Sequence, residues 1–292
     1  MAIPNLRDYY LPDSQQEVVD LLKRFGEGAM IVAGGTFVHG LEVRGLLEGV
    51  VALIDISRLD LRGIGQADDG TISLGAMSTL AELSKAAFVR DDPAYGAIRD
   101  ALTYPPPQIR NTGTVGGCVA AAAPLYDLPA ALLALDGRVR ATNCARDRDI
   151  QLSNFFAGLF ENTLETDELI TAIHLPAPGP RTASAFLKLE TNANDLAILN
   201  VAVRLTLDAR GACSDTRVVL GGGVGETYVR SAGAEKLLNG KSAGTASFAE
   251  AAAAVPADIE AVSDARASAG YRRQIAEVYV RRALAIALER LG

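Results

Sequence analysis

The chain has 292 residues but no tryptophan, two histidines, three cysteines and only 5% aromatics. Each shortage removes a class of function. Cys118, Cys144 and Cys213 are odd in number and widely spaced, which excludes a disulfide framework, a CxxC metal site and an iron–sulfur motif. With His39 and His174 as the histidines, a histidine-rich metal centre is excluded and HExxH is absent. No GxSxG elbow supports a serine triad. Scarce aromatics leave little to stack on nucleic-acid bases. No Lys/Arg cluster stands out either, since 35 acids outweigh 28 bases for a net charge of −7. No apolar run approaches the roughly 20 residues of a membrane span, and MAIPNLRDYYLPDS lacks a signal peptide's apolar core. The expectation is a reduced, cytoplasmic protein that touches neither nucleic acid nor membrane.

What is present is core material. Hydrophobic residues make up 49% and charged residues 22%, and the length suggests about two domains at roughly 150 residues each. Ser14 and Glu17 stand in capping-box spacing before the apolar stripe Val18, Leu21, Leu22 and Phe25. Met30 to Ala33 reads as a short buried strand ended by Gly34-Gly35-Thr36, and Val50 to Ile56 as another. Thr71 to Ala76 alternates like an antiparallel strand, and Thr79 with Glu82 caps a helix through about Phe88. From 103 to 129 the texture changes to five prolines, three glycines and almost no charge, a composition that suits a binding loop better than a solvated linker. Asp127 is placed to cap the helix that Pro129 begins. Leu169 to Leu175 is a strand, and three prolines between 176 and 180 mark a boundary. Beyond it, Ser184–Leu189, Ile198–Leu207 and Thr216–Leu220 read as strands, and Tyr271 to Leu291 as a long helix. The fold class expected is α+β, with a small antiparallel sheet backed by helices in the second domain.

Two glycine clusters carry the functional reading. In VAGGT (Val32 to Thr36) two residues without side chains follow a strand, so backbone N–H groups can approach an anion closely and Thr36 adds a hydroxyl. In NTGTVGGC (Asn111 to Cys118) the same chemistry recurs with Thr112, Thr114, Gly116 and Gly117. Two such cradles suit a diphosphate, although either alone could be a plain turn. The usual nucleotide signatures fail. No GxGxxG follows a strand, which argues against a Rossmann site and a nicotinamide dehydrogenase. Gly240-Lys241-Ser242 lacks the earlier glycine of a phosphate loop, which would fall at Glu235, and reads as a helix end.

VAGGT, IRNTGTVGG followed by APLYDLPAALLAL, FFAGLFENTLETDELITAIHLP, SAFLKLETNANDLAILNVAV and YRRQIAEVYVRRAL occur in that order over nearly the whole chain. In them the sequence resembles the FAD-binding medium subunits of the molybdenum hydroxylases, the carbon monoxide dehydrogenase and xanthine dehydrogenase family. The resemblance implies a two-lobed FAD-binding domain of the vanillyl-alcohol-oxidase (PCMH) type over residues 1–176 and a flavoprotein-like C-terminal domain over 177–292. It puts the first phosphate loop on Val32, Ala33, Gly34, Gly35, Thr36, Phe37, Val38 and His39, and the second on Thr114, Val115, Gly116, Gly117 and Cys118. It gives Asp127 a cofactor hydroxyl and sets Lys188 near the flavin ring. Ile170 and Tyr104 fall at apolar or aromatic contacts, and Leu196 on the flavin face.

Three departures bear on this. Cys118 stands where the family has Asn, Phe37 and His39 are unusual in the first loop, and Leu196 replaces a Tyr of some relatives. Plainer readings exist as well: Asp127 as a helix cap, Lys188 on a solvated strand face, His39 on the surface, Tyr104 and Leu196 as core, and Cys118 as a small hydrophobe.

The implied role is an oxidoreductase subunit that carries FAD. Molybdenum cofactor and [2Fe-2S] clusters would sit on a large and a small partner subunit, in a dimer of heterotrimers. No catalytic residue and no metal ligand is then expected on this chain, which fits its lack of histidine. Rival readings are a self-sufficient flavin oxidase or reductase and a flavin-free assembly subunit.

Overall fold

A computed structural model of the chain describes residues 3–192 and 195–292, so Ala193 and Asn194 of the fourth motif lie outside the described residues. The first helix starts where Ser14 predicts. The Ser14 hydroxyl accepts the Glu17 N–H at 3.2 Å, although the Glu17 carboxylate turns back to the Asp13 N–H (3.0 Å) and not to Ser14. β1 (Asp8–Tyr10), α1 (Gln15–Phe25), β2 (Ala29–Val32), α2 (Thr36–Val43) and β3 (Ala52–Asp55) form the first lobe, with the strands parallel in the order β1-β3-β2. Alternate strand residues face opposite sides. Ile31 and Ile54 meet Val18, Leu21 and Leu22 of α1, whereas Met30 and Leu53 meet Leu41 of α2 with Leu47 and Val50. A sheet covered on both faces reads as unbroken apolar runs, which is how these strands look in the sequence.

The second lobe is an antiparallel sheet. β4 (Ile64–Gln66) and β5 (Ile72–Gly75) lead into six short helices, α3 (Leu80–Lys85), α4 (Ala87–Asp91), α5 (Gly96–Ala101), α6 (Pro107–Thr112), α7 (Val115–Ala120) and α8 (Asp127–Ala134). β6 (Arg138–Thr142), β7 (Asp147–Gln151), a small hairpin of β8 (Phe156–Gly158) and β9 (Glu161–Asn162), and β10 (Leu169–Leu175) follow. The strand order is β4-β5-β10-β6-β7, with β10 central and Ile173 and Leu175 buried on α3, α4, α5, α7 and α8.

Two expectations are corrected here. The helix capped by Thr79 and Glu82 has its full capping box, but it stops at Lys85, and extended Ala86 separates it from α4. The stretch 103–129 is no loop: Pro107 opens α6, Thr114 caps α7, and α8 is buried along its whole length. Only its second half is largely buried, and residues from Thr114 to Tyr126 line a cavity against the first lobe, so the binding expectation stands while the loop does not.

The third part is an antiparallel meander, β11 (Thr182–Leu189), β12 (Leu199–Leu207), β13 (Cys213–Gly221) and β14 (Val229–Arg230), followed by α9 (Ala232–Leu238), α10 (Thr245–Asp258) and α11 (Ala269–Glu289). Val201, Val203, Leu205 and Val218 pack on Phe248, Val255, Val280 and Leu284 of the helices. From the opposite face Phe186, Ala202 and Val219 enter the core of the second lobe. Gly240, at φ +78°, follows the end of α9, so Gly240-Lys241-Ser242 is a helix end as expected. The observed architecture is α+β, as the sequence predicts.

Candidate functional site

A cavity of about 270 Å³ lies between the first two lobes. The turn from β2 into α2 forms one wall and the turn from α6 into α7 the other. They touch at Gly34, where a Cβ would fall 1.8 Å from the Thr112 carbonyl oxygen, and Gly116 packs on the end of β5, where a Cβ would fall 2.7 Å from the Ala76 Cβ. These two glycines are therefore required by backbone packing. Gly35 differs, because it takes φ +72° and its Cβ direction is open but for Val32.

The two cradles also differ in what their amides do. Val115 N–H donates to Ser78 O (2.9 Å), Gly116 N–H to Ala76 O (2.9 Å) and Gly117 N–H to the Thr114 hydroxyl (3.1 Å). The second cluster is thus closed onto the protein and gives the cavity a wall of small residues. At the first cluster Gly35 caps α2 without any side-chain bond, and the N–H groups of Gly35, Thr36, Phe37 and Val38 meet no acceptor among the described residues. A left-handed residue followed by open helical amides is a concave anion site.

Eleven of the expected residues line this cavity: Ala33, Gly34, Gly35, Thr36, Phe37, Val38, Thr114, Gly116, Gly117, Cys118 and Ile170. Ile170 precedes a register shift in the pairing of β10 with β6, a bulge of the kind that re-aims side chains near sites. Val32 stays in the sheet behind the turn. His39 is exposed, 3.3 Å from Glu42, and does not reach the cavity.

Asp127, Lys188 and Tyr104 form a second, linked group. Lys188 Nζ donates to Asp127 Oδ2 at 3.1 Å, and the Tyr104 ring centroid is 5.2 Å from the same ammonium. The Tyr104 hydroxyl accepts the Lys188 backbone N–H at 3.3 Å. Glu190, which sequence reasoning missed, stands 3.2 Å from Nζ without the alignment of a hydrogen bond. Asp127 Oδ1 is buried with no partner among the described residues. Burial pushes the Asp127 carboxyl up to about 6 against the pull of Lys188, with Glu190 adding to the rise. Burial, aided by the Asp127 charge, also pushes the Cys118 thiol up to about 12. Tyr126, next to Asp127 in the chain, lines the cavity, whereas Asp127, Lys188 and Tyr104 do not. Two plainer readings are corrected. Tyr126, not Asp127, is the N-cap of α8, and Lys188 is 8% exposed, far from a solvated face.

Residues 4–178 match the family described as FAD binding domain in molybdopterin dehydrogenase, and 184–287 match the CO dehydrogenase flavoprotein C-terminal domain. The chain belongs to this family. It is 33% identical to the 6-hydroxypseudooxynicotine dehydrogenase complex subunit alpha of Paenarthrobacter nicotinovorans, over 97% of this chain and 95% of that one. It is 32% identical to the carbon monoxide dehydrogenase medium chain of Afipia carboxidovorans, over 97% and 96%. The structure of carbon monoxide dehydrogenase from Hydrogenophaga pseudoflava superposes with a TM-score of 0.91 at 31% identity, covering 100% of both chains. As a member of the FAD-binding molybdopterin dehydrogenase family, the chain is an oxidoreductase chain.

The family's FAD-binding domain here has wall residues that sequence reasoning missed, among them Tyr126, Ile31, Ala76, Leu164 and Glu168. Burial works to raise the Glu168 carboxyl, but Arg148, at 2.6 Å twice, and the Glu165 N–H outweigh it and hold it below its ordinary value. Glu168 is thereby a wall residue whose charge is already paired. Tyr126 is held from the third sheet, its carbonyl accepting from Tyr228 Oη (3.0 Å) and Asn200 Nδ2 (3.2 Å). The only sequence signal for Tyr126 is its place beside Asp127. Leu196 does not line the cavity; its carbonyl accepts from Arg266 at 3.4 Å.

Proposed function

We propose that this chain is the FAD-carrying electron-transfer subunit of a heteromeric molybdenum dehydrogenase in the cytoplasm. A small subunit holds [2Fe-2S] clusters and a large one the molybdenum cofactor, in a dimer of heterotrimers. Bound FAD supplies the redox step that links those clusters to an external acceptor. The observation that carries this reading is the row of acceptor-free amides from Gly35 to Val38 opening on the cavity. In support, the similar chains bear the names complex subunit alpha and medium chain.

The chain's own residues then have these tasks. The open amides and the Thr36 hydroxyl bind the diphosphate, on a turn shaped by Val32, Ala33 and Gly34. Thr114, Gly116, Gly117 and Cys118 give the facing wall, and Ile170 an apolar contact. Asp127 Oδ1 takes a cofactor hydroxyl, which satisfies its orphaned oxygen. Lys188 holds Asp127 in place and Tyr104 holds Lys188, while Leu196, which does not line the cavity, keeps only the flavin-face role that the family resemblance implies. His39 contributes its backbone to α2, whose first turn its N–H closes onto Gly35 O at 2.9 Å. The FAD-binding domain is taken as residues 1–176 and the C-terminal domain as 177–292.

Native purification, a visible spectrum and mass identification of released cofactor test the proposal. FAD with two co-purifying subunits, one bearing iron–sulfur absorption and one molybdenum, is expected. FAD on a chain that runs alone would instead favour a free-standing oxidase or reductase, and partners without flavin an assembly subunit. In the same preparation Gly35→Val, which forces a β-branched residue to positive φ at the nest, should lose flavin while its partners still co-purify.

A further inference from the structure

Phe37 is the second residue of α2, so its ring leaves the helix beside the open amides. It faces the Tyr126 ring edge-on at 6.2 Å and the Phe160 ring at 5.6 Å. Phe37 and Tyr126 line the cavity, whereas Phe160 does not; it lies in the turn between β8 and β9 and is 43% exposed.

That turn is held under strain. Phe160 takes φ +63° and Ala122 φ +43°, and the two are joined by the Phe160 N–H to Ala122 O bond at 3.0 Å. Left-handed backbone is costly at a residue other than glycine and persists only where its surroundings fix it. Asn162 Nδ2 fixes this turn from the other side, donating to Ala120 O at 2.9 Å. What the strained geometry secures is a phenylalanine against Phe37.

We infer that Phe37, braced by Tyr126 and Phe160, is an apolar clasp over the amide nest that retains the diphosphate of a bound dinucleotide. The inference rests on the proposed FAD site. An anion on open N–H groups competes with water, and an apolar cover that keeps water out strengthens each N–H to oxygen bond. Exposed phenylalanine would otherwise be an idle cost on this edge, and the strained turn would have no purpose.

The test uses the full chain stripped of flavin, titrated with FAD, ADP and FMN, and followed for release into excess competitor. Phe37→Ala should weaken FAD and ADP about tenfold or more, mainly through faster release. Phe37→Leu keeps the packing on Leu41, Leu47 and Val50 and should fall between, which separates loss of the ring from loss of fold. Phe160→Ala, outside the cavity, should weaken FAD about threefold and add little once Phe37 is alanine. FMN, which has no diphosphate, should change less than FAD in every variant. Unchanged FAD release in both alanine variants, or equal losses for FMN and FAD, would overturn the clasp and leave the FAD site standing. A wild-type chain that takes up neither FAD nor ADP would sink the site and the clasp together.

Discussion

At the residue scale the group that decides most is Asp127. Its carboxylate is buried against a lysine that a second acid, Glu190, also approaches, and one of its oxygens lacks a partner. The folded pKa, raised to about 6, lies above the ordinary carboxylate value. The stabilisation from this group is therefore fully present below pH about 4 and is lost as pH rises through about 6. Asp127→Asn keeps the neutral form at every pH. Thermal melts of the flavin-free chain should show the variant gaining on the wild type between pH 4 and pH 7, while its FAD affinity falls. A gap that does not move with pH, or moves the other way, would contradict the assignment.

Some elements are joined through buried polar contacts. Ser184 of β11 is wholly buried, donating to Ala94 O at 2.6 Å and accepting the Ala97 N–H of α5 at 2.8 Å. A Cβ on Gly96 would lie 2.4 Å from Ser184 O, so glycine is what lets α5 seat on the strand. Ser184→Ala orphans both a carbonyl and a helix N–H, and should cost about 1–3 kcal/mol in denaturant unfolding. A change under a few tenths would mean that water replaces the hydroxyl.

The same scale shows which parts were legible. β10, β12 and β13 announced themselves through β-branched residues between turn signals, β11 through a short apolar run, and α1 and α3 through their capping residues. α6 and α7 did not, because they are too short for a helical stripe to repeat, whereas α8 was signalled by Asp127 and Pro129 even though it is buried all round. β6 and β7 were missed because their outer face is arginine and aspartate, with Arg140 paired to Asp149 at 2.6 Å, so little apolar signal remained. The glycines of VAGGT and TVGG were visible, but not that Gly34 and Gly116 serve packing while Gly35 shapes the nest. That distinction depends on Thr112 and Ala76, which come from elsewhere in the chain. Asp127 and Lys188 were found through family resemblance, since 61 residues separate the partners of that ion pair.

For the whole molecule, the two halves share a core. Phe186, Ala202 and Val219 of the third sheet lie among Leu128, Leu132 and Ile98 of the second lobe. Polar ties reinforce the junction. Arg290, at the end of α11, holds both Asp100 carboxylate oxygens (2.8 and 2.7 Å), and Asp100 also accepts the Phe186 N–H. The segment Ala123–Asp127, which sets Tyr126 and Asp127 at the site, is gripped by Tyr228, Asn200 and the Gly222 N–H from the third sheet. Removing that sheet would expose apolar core of the second lobe and free the segment that completes the site, so the halves are coupled through the core they share even though the C-terminal part also has a core between its own sheet and helices. Heating the flavin-free chain should therefore give one calorimetric transition, with van't Hoff and calorimetric enthalpies in agreement, and saturating FAD should move that single transition upward. Two resolved transitions, with only the first shifted by FAD, would mean that the C-terminal part folds separately and that its hold on Tyr126 and Asp127 is dispensable to the site.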